Sequence, residues 1–277
     1  MPIVTGYEDT PGGHDALVLG AQLTRLTGLG AIVATVYPSD GRGLAGAAAR
    51  DDAHWLPRAR RIALARFSRA REFIGAGWGH EEPEFIALGP GPVAGVLTDY
   101  ADEVGAAVLV VGSTGHGLLG RIAPGRTVQR LLPSSRCPVA IAPRGYRHTA
   151  GAGILSVAVA YDGSPAADRA VATAVHLASR TGAVLRFVTV APTREDEPAA
   201  RVLAHKGVAS APLEIDALAD VVVGPVARML ADLPERADVL VIGSRGYRFM
   251  RRLLLGGVAG ALVRNAPYPV VVVPGLD

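Results

Sequence analysis

Two stretches of this chain carry glycines at one spacing, VGSTGHGLLGRIAPGRT at 111–127 and IGSRGYRFMRRLLLGGV at 242–258. Gly112, Gly115 and Gly125 of the first fall in register with Gly243, Gly246 and Gly256 of the second. Each set follows an apolar run and precedes a helix-like segment. Backbone N–H groups in such a loop can cradle an anion, and the helix N-terminus adds partial positive charge. The chemistry on offer is therefore the holding of a phosphate. The bland alternative is that these glycines only permit tight turns. Repetition does not separate the two readings, because a duplicated turn would also repeat.

Other reactive patterns are missing from the sequence. The seven histidines show no metal-ligand spacing, and there is no HExxH, no GxSxG elbow, no Walker GK[ST] and no paired carboxylates. We therefore assign no catalytic and no metal-binding residue. His116 lies inside the first loop, but Tyr247 takes its place in the second, so it receives no role. GPGPVAG at 89–95 matches a dinucleotide fingerprint in form only. Pro90 and Pro92 remove N–H donors that a pyrophosphate would use, and a proline-started helix explains the stretch better.

The elements that must position the loops are written twice. Residues 7–38 align without a gap on 161–192, an offset of 154, pairing Tyr7 with Tyr161, Pro11 with Pro165 and Gly28 with Gly182. GPVA recurs at Gly91 and Gly224, an offset of 133, and from Val108 and Val239 onward the offset is 131. The first half thus holds 21 additional residues between its second and third strands. A tandem duplication decides the fold before local detail does. Each unit reads as strand, helix capped by Thr10 or Ser164 ahead of proline, strand, variable segment, strand, helix, strand, glycine loop, helix, strand. The variable segment is helical in the first half, at about 53–74. Strands written as continuous apolar runs and alternating with helices imply parallel sheets covered on both faces. The linker falls near 144–153, giving domains at 1–147 and 153–277. The two halves are expected as separate sheets packed about a pseudo-twofold axis, with the last strands, near 139–142 and 270–273, pairing across it, since bare edges of this kind are a liability.

A chain of 277 residues has room for two cores. Its longest apolar runs are far too short to span a bilayer, and no signal-peptide pattern opens it, so a cytoplasmic protein that needs no membrane is expected. One cysteine, Cys137, excludes an intrachain disulfide and reads as a buried apolar residue. A net charge of +3, with no basic run interleaved with aromatics, gives no ground for a nucleic-acid partner.

At this point the sequence resembles the universal stress protein family in its tandem form. The resemblance rests on AYDGS after the first strand of the second half, GSRG after its fourth strand and the terminal NAPYPVVVVP. It implies a doubly wound sheet of order 3-2-1-4-5 in each half, an adenine nucleotide alpha hydrolase-like, Rossmann-like α/β fold. It also implies ATP or AMP as the ligand, with Mg2+ as a companion of the nucleotide. In the family's nucleotide-binding branch the loop reads Gly-x2-Gly-x9-Gly-[Ser/Thr], an aspartate ends strand one near the adenine, and a valine ending strand two packs on the base. Carried over, these positions are Asp162, Val190, Gly243, Gly246 and Gly256 in the second half, and Glu8, Val36, Gly112, Gly115 and Gly125 in the first. The loop hydroxyl is replaced by Arg126 in one half and Gly257 in the other. Arg126 can clamp a phosphate or plug its site, and pairing with Glu8 would favour the plug. The family likeness implies a cytoplasmic stress-response protein that binds an adenine nucleotide, acts through an unidentified protein partner and has little or no catalysis. An intrachain pseudo-dimer, itself able to dimerise, fits that reading. A nucleotide-free scaffold of the same fold is its rival.

Overall fold

A computed structural model describes residues 1–37, 55–75, 77–78, 81–113, 121–151, 153–179, 182–233, 237–244 and 257–275. The first half runs β1 (Ile3–Gly6), α1 (Pro11–Thr27), β2 (Ala31–Val36), α2 (Trp55–Ile74), β3 (Glu84–Leu88), α3 (Val93–Glu103), β4 (Val108–Gly112), α4 (Arg126–Ser134) and β5 (Val139–Ala142). A short α5 (Tyr146–Thr149) lies in the linker. The second half runs β6 (Ser156–Ala160), α6 (Pro165–Ala178), β7 (Val184–Ala191), α7 (Glu197–Ala209), β8 (Ala217–Val223), α8 (Val226–Ala231), β9 (Val239–Gly243), α9 (Gly257–Asn265) and β10 (Val270–Val273).

Each half has the order 3-2-1-4-5 with parallel pairing inside it. The halves do not form separate sheets, however. Their last strands pair antiparallel, Val271 opposite Ala140, and join them into one ten-stranded sheet, β3-β2-β1-β4-β5-β10-β9-β6-β7-β8. The pairing was expected and the continuity was not. Two fully apolar strands, VAIA and VVVV, satisfy each other's edge hydrogen bonds without any packing step between sheets. Val271 is Ala140's own counterpart in the repeat, so the contact is isologous, as a twofold axis requires.

The continuous apolar strands feed two faces. In β4, Val108 and Val110 point into the layer under α1 and α6, while Leu109 and Val111 enter the layer under α3, α4, α8 and α9. In β10, Val271 and Val273 do the first and Val270 and Val272 the second. Alternation in direction with no alternation in polarity is the mark of a sheet buried on both sides.

The helix starts follow the sequence closely. Thr10 and Ser164 each accept a bond from the backbone N–H three residues on, at 3.2 Å, ahead of Pro11 and Pro165. Pro92 and Pro225 stand one place earlier than expected, at the N-cap rather than in the first turn. The helix α7 was not expected. Its buried face is Ala200, Ala204 and Gly207, so it lacks the large apolar stripe that periodicity detects. A Cβ on Gly207 would fall 2.4 Å from the Phe187 ring, and this close approach explains the small residues.

The linker is no loose tether. Asp15 of α1 is fully buried and accepts from the backbone N–H of Gly145 at 2.7 Å and of Arg147 at 3.0 Å, and from the Arg147 guanidinium at 2.9 Å. Gln22, two turns further along the same face of α1, accepts from the Tyr146 hydroxyl and donates to the Gly151 carbonyl at 2.9 Å. Cys137 is buried, and burial pushes its thiol up, which suits the apolar role expected of it. Among the described residues, no helix is long and apolar enough to cross a membrane.

Buried phenols give the fold an alkaline limit. Burial first, then the Asp9 carboxylate, pushes the Tyr7 phenol up to about 12 from its ordinary 10.0. The unfolded chain therefore releases that proton near pH 10 while the folded chain still holds it. Stability from this group is full below pH 10 and falls between pH 10 and about 12, by roughly 2 kcal/mol. Burial also raises Tyr146 and Tyr268, so Tyr7 contributes one share of the loss. Chemical denaturation at a series of pH values should show the decline, shallower in Tyr7→Phe. An identical slope in that variant would refute the assignment.

Candidate functional site

The position of the crevice is fixed by topology. After β1 the chain winds to β2 and β3 on one side, and β4 and β5 lie on the other, so strand order reverses between β1 and β4. Ligands of doubly wound sheets sit beyond the strand carboxyl ends at that point. In the second half the same place lies between β6 and β9.

Several of the sequence-assigned residues meet there. Glu8 follows β1, and Gly112 ends β4. Tyr7 N–H donates to the Ala34 carbonyl at 2.8 Å, which sets Val36, two residues on, beside the mouth. Tyr161 does the same with Val188 at 2.9 Å, placing Val190 equivalently. Val36 is buried and Val190 half-buried. Asp162 is exposed, and its carboxylate accepts the Ser164 N–H at 3.1 Å. Gly115, Gly246 and Gly256 lie outside the described residues, as does His116.

The glycines that are described do different work. A Cβ on Gly112 would lie 1.8 Å from the Gly12 carbonyl oxygen, and one on Gly243 would lie 2.5 Å from that of Ala166. The first glycine of each loop is therefore demanded by the first turn of α1 or α6, where two backbones touch. Gly257 is the opposite case. It takes φ +71, no described residue stands within 4 Å of where a Cβ would be, and it is exposed. Gly125 is the N-cap of α4, extended, and offers no side chain to the first-turn N–H groups behind it. Among the described residues those donors have no side-chain cap, in contrast to α1 and α6.

Arg126 opens α4 and is exposed. It does not pair with Glu8. The carboxylate of Glu8 faces Arg66 of α2 instead, at 4.0 Å, and α2 stands where α7 stands in the second half, between strands two and three. The same helix sends Arg69 to Asp9 at 2.5 Å and stacks Phe73 on His14 at 4.4 Å. Sequence reasoning compared positions where the two halves align, so it overlooked a helix in the stretch between strands two and three, where their lengths differ. It also overlooked Ser113 and Ser244. Ser113 is buried, its hydroxyl donates to Ala142 O at 2.8 Å and accepts from Ala123 N–H at 3.2 Å, and so it ties the exit of the first loop to its return. The shared GS dipeptide was the available signal.

The sequence model of the universal stress protein family matches residues 1–143 and 154–274. The chain belongs to the universal stress protein family. A universal stress protein of Mycobacterium tuberculosis is 28% identical over 299 aligned residues, covering 99% of this chain and all of its own length. Among solved structures, a universal stress protein from Archaeoglobus fulgidus superposes with a TM-score of 0.72 at 21% identity, covering 98% of this chain and 97% of its own. A second solved structure, of a Pseudomonas aeruginosa protein, gives a TM-score of 0.57 at 14% identity, covering 99% of this chain and 92% of its own. The match across both halves makes this a tandem member, and the β5–β10 junction joins its two universal stress protein units into one sheet.

Proposed function

We propose that this tandem universal stress protein is a cytoplasmic stress-response protein that binds ATP or AMP at the crevice between strands one and four, and acts through contacts with a protein partner rather than by catalysis. The observation that carries the reading is the α4 N-terminus, whose first-turn N–H groups carry no side-chain cap among the described residues and follow a glycine loop at the strand-order switch. The exposed position of Gly257 supports the same use in the second half. In this reading Glu8 and Asp162 stand at the adenine end, Val36 and Val190 pack on the base, and the loops at Gly112, Gly115 and Gly125, and at Gly243, Gly246 and Gly256, carry the phosphates. Among the described residues no three His, Cys, Asp or Glu side chains converge as a cation site, so no protein ligand is assigned to Mg2+. Arg126 is exposed beside the first phosphate position and acts there as a clamp.

Gly257→Ser tests the second site. The new hydroxyl should strengthen ATP binding by up to ~1 kcal/mol, about fivefold. The strain of serine at φ +71 is present with or without ligand, so it lowers folding stability by about 1 kcal/mol and leaves the affinity gain intact. Gly246→Val should weaken binding roughly tenfold, because a branched side chain occupies the space where phosphate meets backbone. Calorimetric titration of ATP reads both. No heat from the parent protein, and none from either variant, would leave the nucleotide-free scaffold as the function of this fold.

A further inference from the structure

The loop of the first half is not fastened only to its own half. Ile122, on the return limb of that loop, donates its N–H to the Ala266 carbonyl at 2.9 Å, and Arg121 Nη1 donates to the Asn265 carbonyl at 3.0 Å. Asn265 is the last residue of α9 and Ala266 the next, so both acceptors belong to the carboxyl end of a helix of the second half. Helix ends leave such carbonyls without partners, and here the other half supplies two donors. Ile122 is buried in the core layer that also holds Leu262, Val263 and Tyr268, so the limb is packed as well as bonded. From inside its own half the same limb is gripped by Arg144 N–H on Arg121 O at 3.0 Å and by the Ser113 hydroxyl on Ala123 N–H.

The other end of α9 is Gly257, which follows the glycine loop of the second half. Nine residues of helix span about 13 Å and move as a rod. We propose that α9 couples the two halves: an anion held at its amino end in the second half fixes the rod, and its carboxyl end thereby steadies the Arg121–Ala123 limb of the first-half loop. The proposal rests on the nucleotide reading above and adds its regulation. Occupancy of the second site tunes the first, and reciprocity requires the first to tune the second by the same factor.

Hydrogen exchange at the Ile122 amide reads the coupling directly, with ATP as the probe and calorimetry run beside it. Saturating ATP should slow exchange at Ile122 by about fivefold or more in the intact chain, the low end of usual coupling factors. Gly257→Asp places a carboxylate against the second phosphate position and should remove most of that protection, while ATP still binds the first site. Arg121→Ala should leave second-site affinity within about twofold of the parent and reduce the protection, because one of the two cross-half bonds is gone. Full protection in Gly257→Asp would overturn the coupling, since the first site alone would then account for it. ATP heat without any change at Ile122 would overturn the coupling and leave nucleotide binding standing. Absence of ATP heat from the parent would remove both.

Discussion

Asp15→Ala should lower the folding stability of this chain by about 3 kcal/mol, the largest single effect expected of any charged residue in it. The carboxylate is fully buried, and it is the acceptor for two linker N–H groups as well as for Arg147. Removing it strands both amides and leaves a guanidinium facing an apolar gap. The Arg147 side chain is 20% exposed and can turn partly to water, which holds the loss to the lower end of the range for broken buried pairs. Asp15→Asn keeps one acceptor oxygen and should cost about half as much. The effect reaches beyond the local helix, because the clamped linker runs directly between β5 and β6 and Asp15 sits on α1, which packs against α6 of the other half. Urea denaturation would measure it. A midpoint unchanged in Asp15→Ala would mean that the linker is a passive tether and that the β5–β10 pairing alone sets the arrangement.

Gly112→Ala is expected to cost about 3 kcal/mol, at the top of the range for overpacking, because what blocks the new methyl is backbone. The added Cβ would stand 1.8 Å from the Gly12 carbonyl oxygen, and Gly12 cannot yield easily, since its own Cβ position is 2.0 Å from Ser113 O. The end of β4 and the first turn of α1 would have to part. Gly243→Ala meets Ala166 O at 2.5 Å and should cost less, about 2 kcal/mol. Both losses should appear without any nucleotide present. Thermal unfolding of the two variants decides it. If Gly112→Ala melts with the parent, the two backbones do not approach as closely as this, and the first glycine of the loop becomes free to hold phosphate.

These two residues also show how the loop glycines divide. In the sequence Gly112 and Gly125 were indistinguishable members of one pattern, and Gly257 stood in the place of the loop hydroxyl. The first answers to packing between secondary elements, the last to an exposed position with a left-handed backbone, and spacing alone carries no sign of which is which. The Glu8–Arg126 pair failed for a related reason. Both lie where the two halves align, but the partner that Glu8 meets, Arg66, lies in the stretch between strands two and three, whose length differs between the halves.

The sequence by itself determined the duplication, the alternation of strands and helices, the capped starts of α1 and α6, the order of strands through the family resemblance and the burial of Cys137. Each is a local or periodic property: a hydroxyl three residues from an N–H, a run of β-branched residues, an offset that persists through a whole domain. Only the tertiary structure decided that ten strands make one sheet, that Asp15 holds the linker, that α2 covers the Glu8 side of the first crevice and that α9 ends on the loop of the other half. Those facts rest on contacts between residues far apart along the chain. No period in the sequence encodes such distances, because they are fixed by where a twofold-related edge and a buried carboxylate happen to find complementary donors once the sheet has formed.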